Sequence, residues 1–159
     1  MATTGNVQAK ATLYEVLEAG IDGVSAAAQK TITHSILGAS HAIAAATMCQ
    51  NTKAMDGGAG TLDLTALPGT ADTVRDLSGL KVQWAWFRNT ATNGNAITIT
   101  FGASNPYDLL GGGEIIVLEV GQEIAVWGND ATPEIGSSAC EIDISGTLAQ
   151  TLDYLIVAS

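Results

Sequence analysis

The chain has 159 residues, of which 47% are apolar and only 14% charged, against roughly 25% charged in ordinary soluble domains. That length suits one domain with a real core, and a surface so poor in charge suits contact with neighbours better than life as an isolated monomer. The net charge is −10, and after Thr61 three bases (Arg75, Lys81, Arg88) stand against twelve acids, which argues against nucleic acid or an anionic membrane as partner, because both need clustered Lys and Arg.

Residues 1–11 are small and polar and read as an arm, flexible or docked on a neighbour. The segment 12–18 (TLYEVLE) alternates as a strand, with a helical turn as the alternative, and breaks at Gly20 and Gly23. The segment 31–37 (TITHSIL) alternates again, with Ile32, His34 and Ile36 on one side. The Ala-rich run 39–52 is compatible with a helix, or with a loop followed by a strand near 47–53. A turn at 56–60 (DGGAG) separates this part from the rest.

From Thr61 the pattern is clearer. Strands are expected at 61–64 (TLDL), 80–87 (LKVQWAWF), 96–101 (AITITF), 114–120 (EIIVLEV), 123–127 (EIAVW), 140–144 (CEIDI) and 152–157 (LDYLIV). Residues 71–77 read as a loop with one helical turn. Asn93-Gly94-Asn95 reads as a hairpin turn of residues that tolerate positive φ, so 96–101 is expected to pair with 80–87. In 80–87, Leu80, Val82, Trp84 and Trp86 share the face assigned to the core. Phe87 then faces the other way and, with Arg88, marks a candidate inter-subunit contact. Turn signals recur about every ten residues. The expected fold is all-β: an antiparallel β-sandwich or jelly roll of about eight strands, or a barrel. The expected organisation is an arm over 1–11 and a single domain over 12–159.

Residues able to do chemistry are sparse. His34 and His41 are the two histidines, and no G-x-S-x-G elbow accompanies them. Cys49, Cys140, His34 and His41 form no zinc spacing, and the two thiols read as separate and buried. The 128–134 loop (GNDATPE) carries oxygens that could meet calcium but lacks the D-x-D-x-D-G pattern. Gly111–Gly113 has no following Lys and reads as a turn, not a phosphate loop. Alternating Glu141 and Asp143 read as a solvated face. No catalytic residue, metal or cofactor is expected. No charged start leads into an apolar run, and no stretch is apolar over a membrane-spanning length, so the chain is expected to be made in a cytoplasm and to stay soluble or assemble there.

The runs 61–69 (TLDLTALPG), 79–83 (GLKVQ), Arg88-Asn89 and 95–99 (NAITI) resemble a group of small proteins of tailed bacteriophages. The similarity continues through 102–107 (GASNPY), 121–123 (GQE), 128–130 (GND) and 144–146 (ISG), and reaches only loosely into 31–34. It covers about the last hundred residues. The resemblance implies a β-rich component of the virion, with head or neck roles, and carries no catalytic residue. The expectation that follows is a decoration (cement) protein on the head, an oligomer such as a trimer, with the major capsid protein as partner. Met1, Ala2, Thr3 and Thr4 in the arm, with Phe87 and Arg88, are the candidate capsid or subunit contacts. A tail, fibre or neck module that recognises a host glycan is the alternative, carried by Tyr107, Trp127 and the 128–136 loop.

Overall fold

Alternating apolar residues bury one face of an extended chain, and two such faces close against each other when turns come every few residues. The computed structural model describes residues 3–7, 10–16, 29–35, 41–69, 73–90, 92–101, 104–128, 131–147 and 149–159, with side chains from Thr47 onward. No helix occurs among them. The strands are β1 (Thr3–Val7), β2 (Lys10–Val16), β3 (Gln29–Ser35), β4 (His41–Ala54), β5 (Ala59–Asp63), β6 (Leu67–Pro68) and β7 (Val74–Arg75). They continue as β8 (Val82–Asn89), β9 (Ile97–Thr100), β10 (Ile115–Leu118), β11 (Glu123–Trp127), β12 (Glu141–Ser145) and β13 (Thr151–Ala158). The Ala-rich run is thus a strand, and β7 lies where one helical turn was expected.

The chain divides into two compact units, Thr4–Ile43 and a larger one built from Ala44–Ser159 with Met1–Thr3. The division falls well past the 11/12 boundary suggested by composition, and residues 3–7 carry a strand. In the smaller unit β2 and β3 pair antiparallel, from Lys10 opposite Ser35 to Val16 opposite Gln29. His34 lies in β3 and His41 opens β4.

The larger unit is a β-sandwich. One sheet has the order β4-β13-β8-β11 and the other β10-β9-β12-β5. Every strand pairing in these sheets is antiparallel. The pairs are nested: β4 with β13, β5 with β12, β8 with β11, β9 with β10. An eight-strand hairpin has been rolled so that successive pairs fall in alternate sheets, and β13–β8 and β12–β9 stitch the roll together. This nesting is the jelly roll, and it decides between the alternatives left open by the sequence. The short β6–β7 pair sits in the β5–β8 connection.

The core lies between the sheets. One sheet contributes Cys49, Val82, Ala85, Phe87, Leu152, Tyr154 and Ile156, and the other Leu62, Ile97, Ile99, Leu118, Ile142 and Ile144. The Phe87 and Phe101 rings meet edge-on across the gap at 6.4 Å. Cys49 and Cys140 are separate buried thiols.

Two expectations about β8 are corrected. Its neighbours are β13 and β11, not β9, which lies in the other sheet. The 93–95 turn is a crossover between sheets. Its Asn93 and Gly94 are absent from the positive-φ residues. Of the face expected in the core, Val82 and Trp84 are buried but Trp86 is only half-buried, and Ala85 and Phe87 from the other side are fully buried. Val157 pairs with Trp84 but Ala158 with Val82, so Gln83 is the extra residue of a bulge. A bulge shifts the alternation by one, placing Ala85 and Phe87 inward with Val82. Trp84, Trp86 and Arg88 lie on the outer face. Phe87 is fully buried and is no inter-subunit contact.

Candidate functional site

The jelly roll presents two loop ends, and each is tied by a different device. At one end the β5–β8, β9–β10 and β11–β12 connections meet around Tyr107. Its ring is fully buried. Its hydroxyl donates to the Pro133 carbonyl (2.8 Å) and accepts from the Val82 N–H (2.9 Å). One phenol therefore ties the β9–β10 connection to the start of β8 and to the β11–β12 connection. Burial pushes its pKa from 10.0 up to about 12, against the opposing pull of the Val82 N–H. Tyr107 was a candidate for glycan contact; its buried ring and doubly engaged hydroxyl make it a strut.

Beside this strut a cleft of about 180 Å³ opens between Asp108–Gly111 on one side and Trp127, Gly128, Ala131 and Thr132 on the other. The Asp108 carboxylate accepts from the Gly111 N–H (2.6 Å) and the Gly112 N–H (2.9 Å), which fixes the turn. Gly111 and Gly113 have φ of 89° and 71°, a conformation open to glycine at little cost, so the triple-glycine run is a turn. The Trp127 ring sits against Trp84 at 6.2 Å and 55°. Gly128 has no alternative here, because a Cβ would run into the Val82 carbonyl oxygen. Asn129 and Asp130, in the loop weighed for calcium, lie outside the described residues. Among the described residues no three His, Cys, Asp or Glu side chains gather as a metal site.

At the opposite end Asn89 and Asn93 link β8, β10 and β13. Asn89 donates to the Asn95 and Leu118 carbonyls (3.0 and 2.8 Å). Asn93 donates to Asn89 Oδ1 (2.6 Å) and to the Thr151 carbonyl (2.7 Å), and accepts from the Thr151 N–H (3.0 Å). These amides replace the backbone ladder that a hairpin would have made.

The flank of the sandwich along β10 differs from both ends. Ile115 is 63% exposed and Val117 54%. Leu110 before the strand and Val120 after it are exposed as well. No described strand lies on the far side of β10. Exposed edges in soluble proteins are usually blunted by charge, proline or a bulge. Here the outward positions of the strand are Ile and Val.

On the outer face of the other sheet, Arg88 forms an ion pair with Asp153 (2.8 Å) and lies over the Trp86 ring at 5.6 Å. Trp84 is 7% exposed, and its indole N–H is buried without a hydrogen-bond partner among the described residues. Met1 and Ala2 lie outside the described residues, and Thr3 and Thr4 belong to β1. The candidate contacts Phe87 and Arg88 are thus split between the core and the outer face. The exposed apolar strand that sequence reasoning missed is β10. The signal was present as Glu114-Ile-Ile-Val-Leu-Glu119, a run whose open edge becomes visible only once its neighbours are known.

No protein-family model matches the chain, and no curated protein matches it. Among solved structures the chain is similar to a Bacillus endospore appendage, described as belonging to a family of disulfide-linked pili. The TM-score is 0.43 at 14% identity, over 71% of this chain and 82% of that one.

Proposed function

We propose that this chain is a non-enzymatic structural protein of a tailed-phage virion, a decoration protein that binds the outer head and strengthens it. The observation that carries the reading is the exposed Ile115 and Val117 of β10 on a chain with so few charges. Water-exposed Ile and Val on an open sheet edge are stabilised by being covered. The resemblance to small phage proteins supplies the setting, with the major capsid protein as partner and a homo-oligomer as the attached form. The deciding experiment is the copy number of this chain per major capsid protein in purified particles, by quantitative mass spectrometry. Hundreds of copies in a simple ratio are expected. A few dozen or fewer would move the protein to the neck, tail or fibres, and absence from particles would overturn the virion reading.

The cleft favours a second reading, a tail or fibre module that takes a host glycan. It pairs an aromatic face (Trp127) with a carboxylate (Asp108) in a space below the ~300 Å³ typical of drug-sized pockets, which suits a single sugar ring. Titration against a broad glycan panel would show micromolar binding that is lost in Trp127→Ala; a flat response across the panel would rule this reading out.

A further inference from the structure

We infer that β10 is a docking edge that accepts an extended apolar segment with basic residues at its ends, supplied by a different protein. The inference deepens the reading of this chain as a contact protein by naming the mode of contact and the chemistry of the partner.

The backbone phase of β10 is fixed by its pairing with β9. Phe101 N–H donates to the Glu114 carbonyl at 3.2 Å, and the register runs Ile115 opposite Thr100, Ile116 opposite Ile99, Val117 opposite Thr98 and Leu118 opposite Ile97. In an antiparallel ladder, bonded and non-bonded pairs alternate. Glu114, Ile116 and Leu118 therefore turn their backbone groups toward β9. Ile115 and Val117 turn theirs away, to the open edge. The same two residues carry the exposed side chains. Donors, acceptors and apolar side chains at one edge are the elements of strand addition, in which main-chain bonds give affinity and alternate side chains give selectivity.

Charge selects the partner. Glu114 and Glu119 bracket the strand, and no basic residue lies in β9, β10 or the turns on either side of β10, whereas Glu123 on β11 stands opposite Arg88. A second copy of β10 would bring four glutamates into one short ribbon with no cation to offset them. Like charges across a strand pair destabilise it. An incoming strand with Lys or Arg near each end meets the glutamates with opposite sign, which guides encounter and suppresses wrong partners.

The test uses the full chain and a library of heptapeptides with alternating Val, Ile and Thr, each made once with Lys and once with Glu at both ends. Binding is read by fluorescence anisotropy at low and high salt, and the oligomeric state by sedimentation. The key variant is Val117→Pro. Its lost N–H points to solvent, so the ladder to β9 stays whole, and proline is tolerated in that setting. Val117→Thr keeps the N–H and serves as the companion variant. Lys-ended peptides should bind about tenfold or more tighter than their Glu-ended twins and weaken as salt rises. V117P should lose the binding with its melting temperature unchanged, and V117T should retain most of it. The inference is overturned if no peptide binds, if both sets bind alike, or if V117P binds as the parent does. Dimers of the parent that V117P abolishes would also overturn it, in favour of self-pairing. Peptide binding by a chain absent from virions would leave the docking edge standing and remove only the phage setting.

Discussion

Three residues show what single side chains decide. Phe87 and Arg88 are adjacent in sequence and opposite in consequence. Phe87 fills the gap between the sheets, so Phe87→Ala should cost about 3–5 kcal/mol. Arg88 and Asp153 form a partly solvated pair with side chains 47% and 20% exposed, so Arg88→Ala should cost less than about 1 kcal/mol. Chemical denaturation of the two variants measures this contrast directly. Tyr107 ties the β9–β10 connection to the start of β8 and to the β11–β12 connection through its hydroxyl. Tyr107→Phe leaves the Val82 N–H and the Pro133 carbonyl without that partner, and should cost about 1–3 kcal/mol. The phenol also sets an alkaline limit. Its folded pKa of about 12 lies above the unfolded value near 10, so the folded state holds its proton longer. Stability from this group is whole below pH 10 and falls as pH rises toward 12, by about 2–3 kcal/mol in total. Burial also raises the Cys49 and Cys140 thiols, with Asp63 and Glu141 adding to the shift at Cys140, so their contribution falls in the same direction. Melting curves taken at rising pH should show the decline, and Y107F should lose the tyrosine part of it.

Elements are held in place by devices that strand alternation does not reveal. The β8–β9 crossover is the clearest. An Asn-Gly-Asn sequence between two alternating runs has the look of a hairpin. Its strands part into different sheets because β8 finds β13 and β11, and β9 finds β12 and β10. The Asn93 amide then serves as connector, bonded to Asn89 and to both backbone groups of Thr151. Asn93→Asp replaces two donated bonds with repulsion between acceptors in a buried site. The expected loss is at least about 2 kcal/mol, measured by thermal melting at pH 7. A fall below about 0.5 kcal/mol would mean that the network is not what fixes the crossover. The same holds for the bulge at Gln83. It brings Ala85 and Phe87 inward and leaves Trp86 half-buried, which the alternation of 80–87 read by itself does not give.

At the scale of the molecule, closure of the roll leaves β5, β10 and β11 at sheet edges among the described residues, and β10 carries exposed apolar side chains there. The two sheets bury their inner faces against each other, and the acids of β12 stand outward, with Asp143 accepting from the Thr61 hydroxyl. The flank of Ile115 and Val117 has no such cover. A double substitution Ile115→Lys with Val117→Lys should leave the melting temperature nearly unchanged, since exposed positions usually shift stability by about 0.5 kcal/mol or less. It should abolish attachment to heads in a reconstitution with undecorated particles. Full occupancy by the double variant would show that attachment runs through another surface.

How much of this was legible in the chain follows from the range of each force. Alternation is local, and a strand's two faces are written within five or six residues. The strands from β8 to β13, the separate strands β2 and β3 and the all-β class were therefore readable. The charge distribution is a property of composition, so the expectation of no polyanionic partner needed no coordinates. Pairing is non-local. Thr151–Ala158 meets Thr47–Ala54 across about a hundred residues, and nothing within either segment names the other. The Ala-rich strand β4 illustrates the limit: alanine favours a helix on its own, and the pairing with β13 overrides it. The cleft beside Trp127 and the open edge of β10 arise where strands distant in sequence end or fail to find a neighbour. The sequence by itself determined that this protein is built of strands and carries acid where a polyanion would need base. Which strands end their sheets, β5, β10 and β11 among the described residues, was left to tertiary pairing, because an edge is defined by a missing neighbour and not by the residues along it.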